Sequence, residues 1–144
     1  MLNIENVNHI GIRIRDKARS VSFYELLGFQ FMTDTGFDEG HPVVLRHPSG
    51  VVLNLLGAPK VSGEGNILMD VPEKYTGITH VALTVTSLSD TRKFMTENNI
   101  EITGSFEIPH MEAIFIRDPD CNVIELDDFV DNQQTGTAGF DQHI

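Results

Sequence analysis

"VVLRHPSGVVLNL", residues 43–55, and "IFIRDPDCNVIEL", residues 114–126, follow one plan. Each begins with three apolar residues and an arginine, turns on a proline and resumes as an apolar strand. The two stretches lie 71 residues apart. The same spacing relates "NHIGIRI" (8–14) to "THVALTV" (79–85), placing His9 over His80. It also places Phe23 over Phe94 and Phe29 over Ile100 without a gap. Short apolar matches arise by chance, but four matched segments in one register mark an internal duplication.

Each copy reads as β-α-β-β-β. The first strand alternates at period two, with Ile10, Ile12 and Ile14 on one face and His9, Gly11 and Arg13 on the other. A helix is expected over 17–27, with Val21, Tyr24 and Leu27 or Phe23 as its buried stripe and Gly28 as its left-handed stop. Strands are expected near 29–34, 42–47 and 50–56, the last two joined by the His47-Pro-Ser-Gly50 turn. The second copy predicts a strand at 78–86 and a helix at 88–98, with Asn98-Asn99 in place of the glycine stop. Strands near 100–106, 112–117 and 122–127 complete it. The expected fold is α+β: two tandem βαβββ modules forming a curved mixed sheet around a metal-binding cleft. Module 1 covers about 4–57, a Gly/Pro/Ser-rich linker 58–76, module 2 about 77–129 and a polar, loose tail 130–144.

Length and composition narrow the function. A chain of 144 residues, 40% apolar and 22% charged, suffices for one domain with a sizeable core. No apolar run is long enough to span a membrane, and the N-terminus lacks the pattern of a secretory signal. One cysteine, Cys121, excludes an internal disulfide and suits a cytoplasmic location. A net charge of −11 disfavours nucleic acid as a partner.

The alternation sets the candidate site. If Ile10, Ile12 and Ile14 face the helix, His9 faces the cleft, and His80 does so in the second copy. On the last strand Ile124 and Leu126 take the helix side, leaving Val123, Glu125 and Asp127 on the other. The repeat equivalent of Glu125 is Asn54. Taken singly, a strand histidine is more often a hydrogen-bonded polar residue than a ligand, and a strand glutamate is more often solvated. Two repeat-related histidines with a glutamate shift that balance. Two imidazoles and one carboxylate form a facial triad that suits a divalent metal and leaves positions open for substrate oxygens.

With these residues in place, "NHIGIRI", "FYELLGF", "THVALTV" and "RDPDCNVIEL" resemble the vicinal oxygen chelate superfamily over about residues 4–128. That group holds glyoxalase I, fosfomycin resistance proteins, methylmalonyl-CoA epimerase and the extradiol dioxygenases. The resemblance implies His9, His80 and Glu125 as ligands of a divalent metal (Fe, Mn, Ni or Zn), a small oxygenated substrate and a homodimer. Asn54 departs from the Glu or Gln that glyoxalase I and the epimerase place there. It stands open as weak ligand, partner of a bound water, or relic.

Three functions follow. The first is a metal-dependent enzyme of the glyoxalase/dioxygenase type, with extradiol ring cleavage as one form. The layout Ile108-Pro-His110, Ile114-Phe115, Asp118-Pro119 and Glu125 is close to the extradiol motif, although Phe115 lacks the tyrosine hydroxyl and His110 sits too near. The second is a lyase or isomerase with Glu125 as base. The third is a binding protein that sequesters a drug or metabolite without catalysis. Candidate catalytic residues are Glu125 and His110; candidate substrate contacts are Arg13, Asn54 and Phe115. Arg46 and Arg117 are expected to brace the proline turns, and His41 and His47 to be solvated.

Overall fold

The computed structural model describes residues 1–61 and 63–129. The tail expected to be loose, 130–144, lies outside the described residues. The chain divides into two compact units, Met1–Gly65 and Asn66–Ile144, with the boundary inside the glycine-rich stretch expected to link the modules. Among the described residues no helix is long and apolar enough to cross a membrane.

In the first unit, β1 (Ile10–Arg13) leads into helix α1 (Lys17–Leu26), followed by β2 (Gln30–Asp34), a single 3-10 turn (Phe37–Glu39), β3 (Val43–Arg46) and β4 (Val52–Leu56). The strands form one sheet in the order β1-β4-β3-β2, with β1 parallel to β4 and the other pairs antiparallel. The helix starts where Asp16 accepts a hydrogen bond from the Arg19 amide at 2.7 Å, satisfying one orphan donor of the first turn. It stops at Gly28, whose φ of 99° admits no ordinary side chain without strain. The alternation expected for β1 is observed: Ile12 and Ile14 are buried while Gly11 and Arg13 are exposed. They pack with Tyr24, Phe29, Val43, Leu45, Leu53 and Leu55 in the core. The helix stripe differs from expectation. Ser20 and Tyr24 are the fully covered positions, and Val21, Phe23 and Leu27 are half-buried. A small hydroxyl at position 20 lets the helix backbone approach the sheet, and the larger side chains close the margins.

The second unit repeats the plan. It comprises β5 (His80–Thr84), α2 (Leu88–Glu97), β6 (Ile102–Ile108), β7 (Met111–Arg117) and β8 (Val123–Phe129), in the sheet order β5-β8-β7-β6. Ser87 caps α2 by accepting from the Asp90 amide, and Asn99 takes the left-handed stop at φ 54°.

The 71-residue spacing extends to single hydrogen bonds. Ile14 N to Leu56 O has its counterpart in Val85 N to Asp127 O, and Phe29 N to Tyr24 O in Ile100 N to Met95 O. The turn bond Gly50 N to His47 O recurs as Cys121 N to Asp118 O. Even the irregularities match: the ladder slips between Phe31 and Thr33 in one unit and between Ile102 and Gly104 in the other. The left-handed corner at Gly50 (φ 102°) falls on Cys121 (φ 65°). Each module therefore builds its own four-stranded mixed sheet from a shared backbone frame.

Candidate metal centre

The site of the second unit grows from the central position of β8. This strand pairs with β5 on one side and β7 on the other, and Val123 through Asp127 are all buried. Glu125 stands between Ala82 and Phe115 in the ladder. His80 lies two residues before Ala82, on the same face of the sheet by strand alternation. The side chains meet: His80 Nε2 is 2.8 Å from Glu125 Oε2. The histidine side chain is 35% exposed and that of the glutamate 9%, so the pair is open from the imidazole side and closed behind the carboxylate. On the other nitrogen, His80 Nδ1 is 2.8 Å from the Thr79 hydroxyl, a contact that fixes the ring plane. The Phe115 ring stands edge-on to the imidazole at 5.9 Å, and Phe106 lies against Phe115 at the same centroid distance. Ala82, Ala113 and Gly104 hold the ladder positions around Glu125 and Phe115 with little side-chain bulk.

Asp127, two residues beyond Glu125, belongs to the same face. Burial, first, and the Glu125 carboxyl beside it, second, push its carboxyl up to about 7. Its Oδ1 is buried without a hydrogen-bond partner among the described residues. Sequence alternation placed Asp127 on this face but gave it no role. The available signal was a pair of acids at i and i+2 on an otherwise apolar strand.

The first unit presents the matching positions. His9 directly precedes β1 and is exposed, with Nδ1 2.7 Å from Asn8 Oδ1. Asn54 is the ladder partner of Gly11, as Glu125 is of Ala82. Arg13 Nη1 donates to the Gly57 carbonyl at 2.8 Å.

His110 occupies the tip of the β6–β7 hairpin at φ 73°. Its neighbour Met111 is four residues along β7 from Phe115, about 13 Å at the usual strand rise. Of the expected site residues in this unit, the fold thus joins His80, Glu125 and Phe115 and sets His110 at the far end of the hairpin. Arg117 braces a turn as expected, donating to the Cys121 carbonyl at 2.9 Å and, through Nη1 and Nη2, to Asp70. His47 stands at its turn as expected but only partly in solvent: it is half-buried, its ring packs against Phe29 at 5.3 Å and its Nδ1 accepts from the Ser49 amide.

The donor set suits a divalent cation: one imidazole nitrogen and one buried carboxylate oxygen converge, and a second carboxylate lies beside them. Among the described residues no three His, Cys, Asp or Glu side chains surround one point closely enough to complete a ligand set. His80 and Glu125 could supply two donors to such an ion.

The chain belongs to the Glyoxalase/Bleomycin resistance protein/Dioxygenase superfamily, whose family model matches residues 6–126. Among solved structures it is similar to a glyoxalase/dioxygenase from Nostoc punctiforme, at 24% identity over 88% of this chain and 92% of that one, TM-score 0.71. A glyoxalase family protein from Enterococcus faecalis gives 21% identity over 85% and 97%, with the same TM-score. A genomically encoded fosfomycin resistance protein from Listeria monocytogenes gives 12% identity over 88% and 94%, TM-score 0.66. At these identities the likeness shows the fold. No match was found among curated proteins.

Proposed function

We propose that the chain is a divalent-metal-dependent enzyme acting on a small oxygenated substrate, with His80 and Glu125 as metal ligands. The observation that carries this reading is the 2.8 Å approach of His80 Nε2 to the buried Glu125 Oε2. A glutamate that served only the wet face of a sheet would not sit 7% exposed on a central strand. When bound, the cation would supply Lewis-acid polarisation of a substrate oxygen. The chain's own residues do the rest. Thr79 holds the imidazole plane, Phe115 and Phe106 offer an apolar wall to the substrate body, and the small residues around Glu125 leave it room.

Of the reactions known in the superfamily, proton transfer in a lyase or isomerase fits better than extradiol ring cleavage. Phe115 has no hydroxyl and His110 lies at the hairpin tip, which supports Glu125 as the group that takes a proton. The test begins with metal-free protein, reconstituted separately with Fe2+, Mn2+, Ni2+ and Zn2+. Each form is assayed against hydroxyketones, vicinal diols and epoxides. The expected result is about one ion retained per chain and turnover that depends on it. Ligand binding without metal or turnover would favour a sequestering protein. Failure to retain any of the four ions would sink the metalloenzyme reading.

A further inference from the structure

Besides Glu125, β8 and the turn before it carry Asp118, Asp127 and Asp128, and two of these have evident structural work. Asp118 accepts from the Asp120 and Asn122 amides and shapes the β7–β8 turn. Asp128 accepts from the Leu88 amide at 2.9 Å and ties the strand to the start of α2. Asp127 differs from both. Its backbone carbonyl accepts from the Val85 amide, a bond that any residue at that position would make. Its side chain is 7% exposed, and Oδ1 has no donor among the described residues. The neighbouring ladder positions are Thr84 and Ala113, too short to cover it with a cationic group. Arg117, on the same face of β7, is already engaged by Asp70 and the Cys121 carbonyl. The Asp127 carboxyl meets Glu125 through a side-chain hydrogen bond, but its buried Oδ1 is left without a donor, and a donor arriving from outside the chain would relieve that cost.

We propose that Asp127 is a positioning residue of the His80–Glu125 site, whose free oxygen supplies a second negative charge beside a bound divalent cation without being one of its ligands. The inference rests on the metal-binding reading given above. Charge favours it: neutral imidazole and one carboxylate leave a divalent ion with a net positive charge, and a second carboxylate next to Glu125 balances it. As they stand, His80, Glu125 and Asp127 do not surround a common point, so Asp127 is assigned no ligand role. Oδ1 then acts through space and through a hydrogen bond from a water at the ion. Partners of this kind commonly govern affinity as much as the ligands do.

The test uses the full chain, Co2+ and Mn2+ as probes, one fixed pH, and four proteins: wild type, Asp127→Asn, Asp127→Ala and Glu125→Gln. Calorimetry should show both Asp127 variants binding the ions about 10-fold more weakly than wild type. Without metal their melting temperatures should equal or exceed that of wild type, because a buried acid crowded by Glu125, with one oxygen lacking a donor, has been removed. The visible band of the Co2+ form should keep its position in Asp127→Asn and shift in Glu125→Gln. Unchanged affinity in both Asp127 variants, alongside weakened binding in Glu125→Gln, would overturn the inference and leave the metal site standing. So would a fall in metal-free melting temperature that accounts for the lost affinity, or a Co2+ shift equal to that of Glu125→Gln. Absence of binding in wild type would remove the metal-site reading and this inference together.

Discussion

Replacing Glu125 with Gln isolates the charge of one carboxylate at nearly constant shape. In the metal-free protein two effects oppose. The amide weakens the contact with His80 at 2.8 Å, where a hydrogen bond to a charged group is worth about 1.5–3 kcal/mol. It also ends the crowding of two carboxyl groups, Glu125 and Asp127, on one buried face. The net change should stay within about 1 kcal/mol. With metal the effects no longer cancel. At an ion concentration about 100 times the dissociation constant, binding to the native state stabilises it by about 2.7 kcal/mol. A 144-residue chain unfolds with an entropy near 0.3 kcal/mol per degree at about 2.1 cal/mol/K per residue, so wild type should melt about 9 °C higher with metal than without. A variant with about 10-fold weaker affinity keeps about 1.4 kcal/mol, or about 5 °C, at the same ion concentration. The assay is four melting curves: two proteins, each with and without metal. Equal gains for both proteins would show that Glu125 does not hold the ion, and the reasoning from β8 would fail.

Asn54→Glu should give the first unit a His9–carboxylate pair at the position where the second unit has His80 and Glu125. Metal titration should then show a tighter first equivalent or a second one, and an unchanged isotherm would place position 54 outside any ion's reach. Asp34 is held down to about 2, first by its hydrogen bond from Lys17 at 2.6 Å and then by the Gly36 and Phe37 amides. A depressed carboxyl contributes stability above its unfolded value of 3.8 and loses it as pH falls through about 2. Acid titrations of wild type and Asp34→Asn should therefore differ near neutral pH and converge below about 2; a gap that persists there would assign the effect to packing. Gly50→Ala meets no atom within 4 Å, so its cost is the left-handed backbone alone, about 1–2 kcal/mol in a urea midpoint measurement. A neutral result would mean that the turn relaxes.

The duplication and the strand faces were legible because both depend on local periodicity. Ile12 and Ile14 must be covered for the first sheet to have a core, and the same rule placed Val81 and Leu83 opposite His80. Two kinds of feature were not legible. The ladder slips at Phe31–Thr33 and Ile102–Gly104 are fixed by edge-strand hydrogen bonding, which leaves no mark in hydrophobic spacing. Tertiary neighbours decide the rest. His47 looked like a surface turn residue until Phe29 was found against its ring. Asp127 looked like any polar residue on an alternating strand. Its isolation depends on Thr84 and Ala113, which reach it from strands distant in sequence. The proposed metal ligands fall between these cases: their faces could be read from the pattern, but the contact of His80 with Glu125 needed parallel pairing of β5 with β8.

That parallel pairing bears on how the chain is made. Ile10 pairs with Leu53 and His80 with Val123, so each crossover closes over 43 residues and each ladder is complete within its own unit. A ribosome adds about 5–20 residues per second, so the first sheet has about 4–15 seconds to assemble before the last strand of the second is complete. Two copies of one backbone frame invite misassembly, since β1 could accept β8 in place of β4 with the same hydrogen-bond register. Release of the copies in succession lets β4 occupy β1 before its competitor exists. Refolding from denaturant, where both copies compete at once, should be slower and less faithful than synthesis.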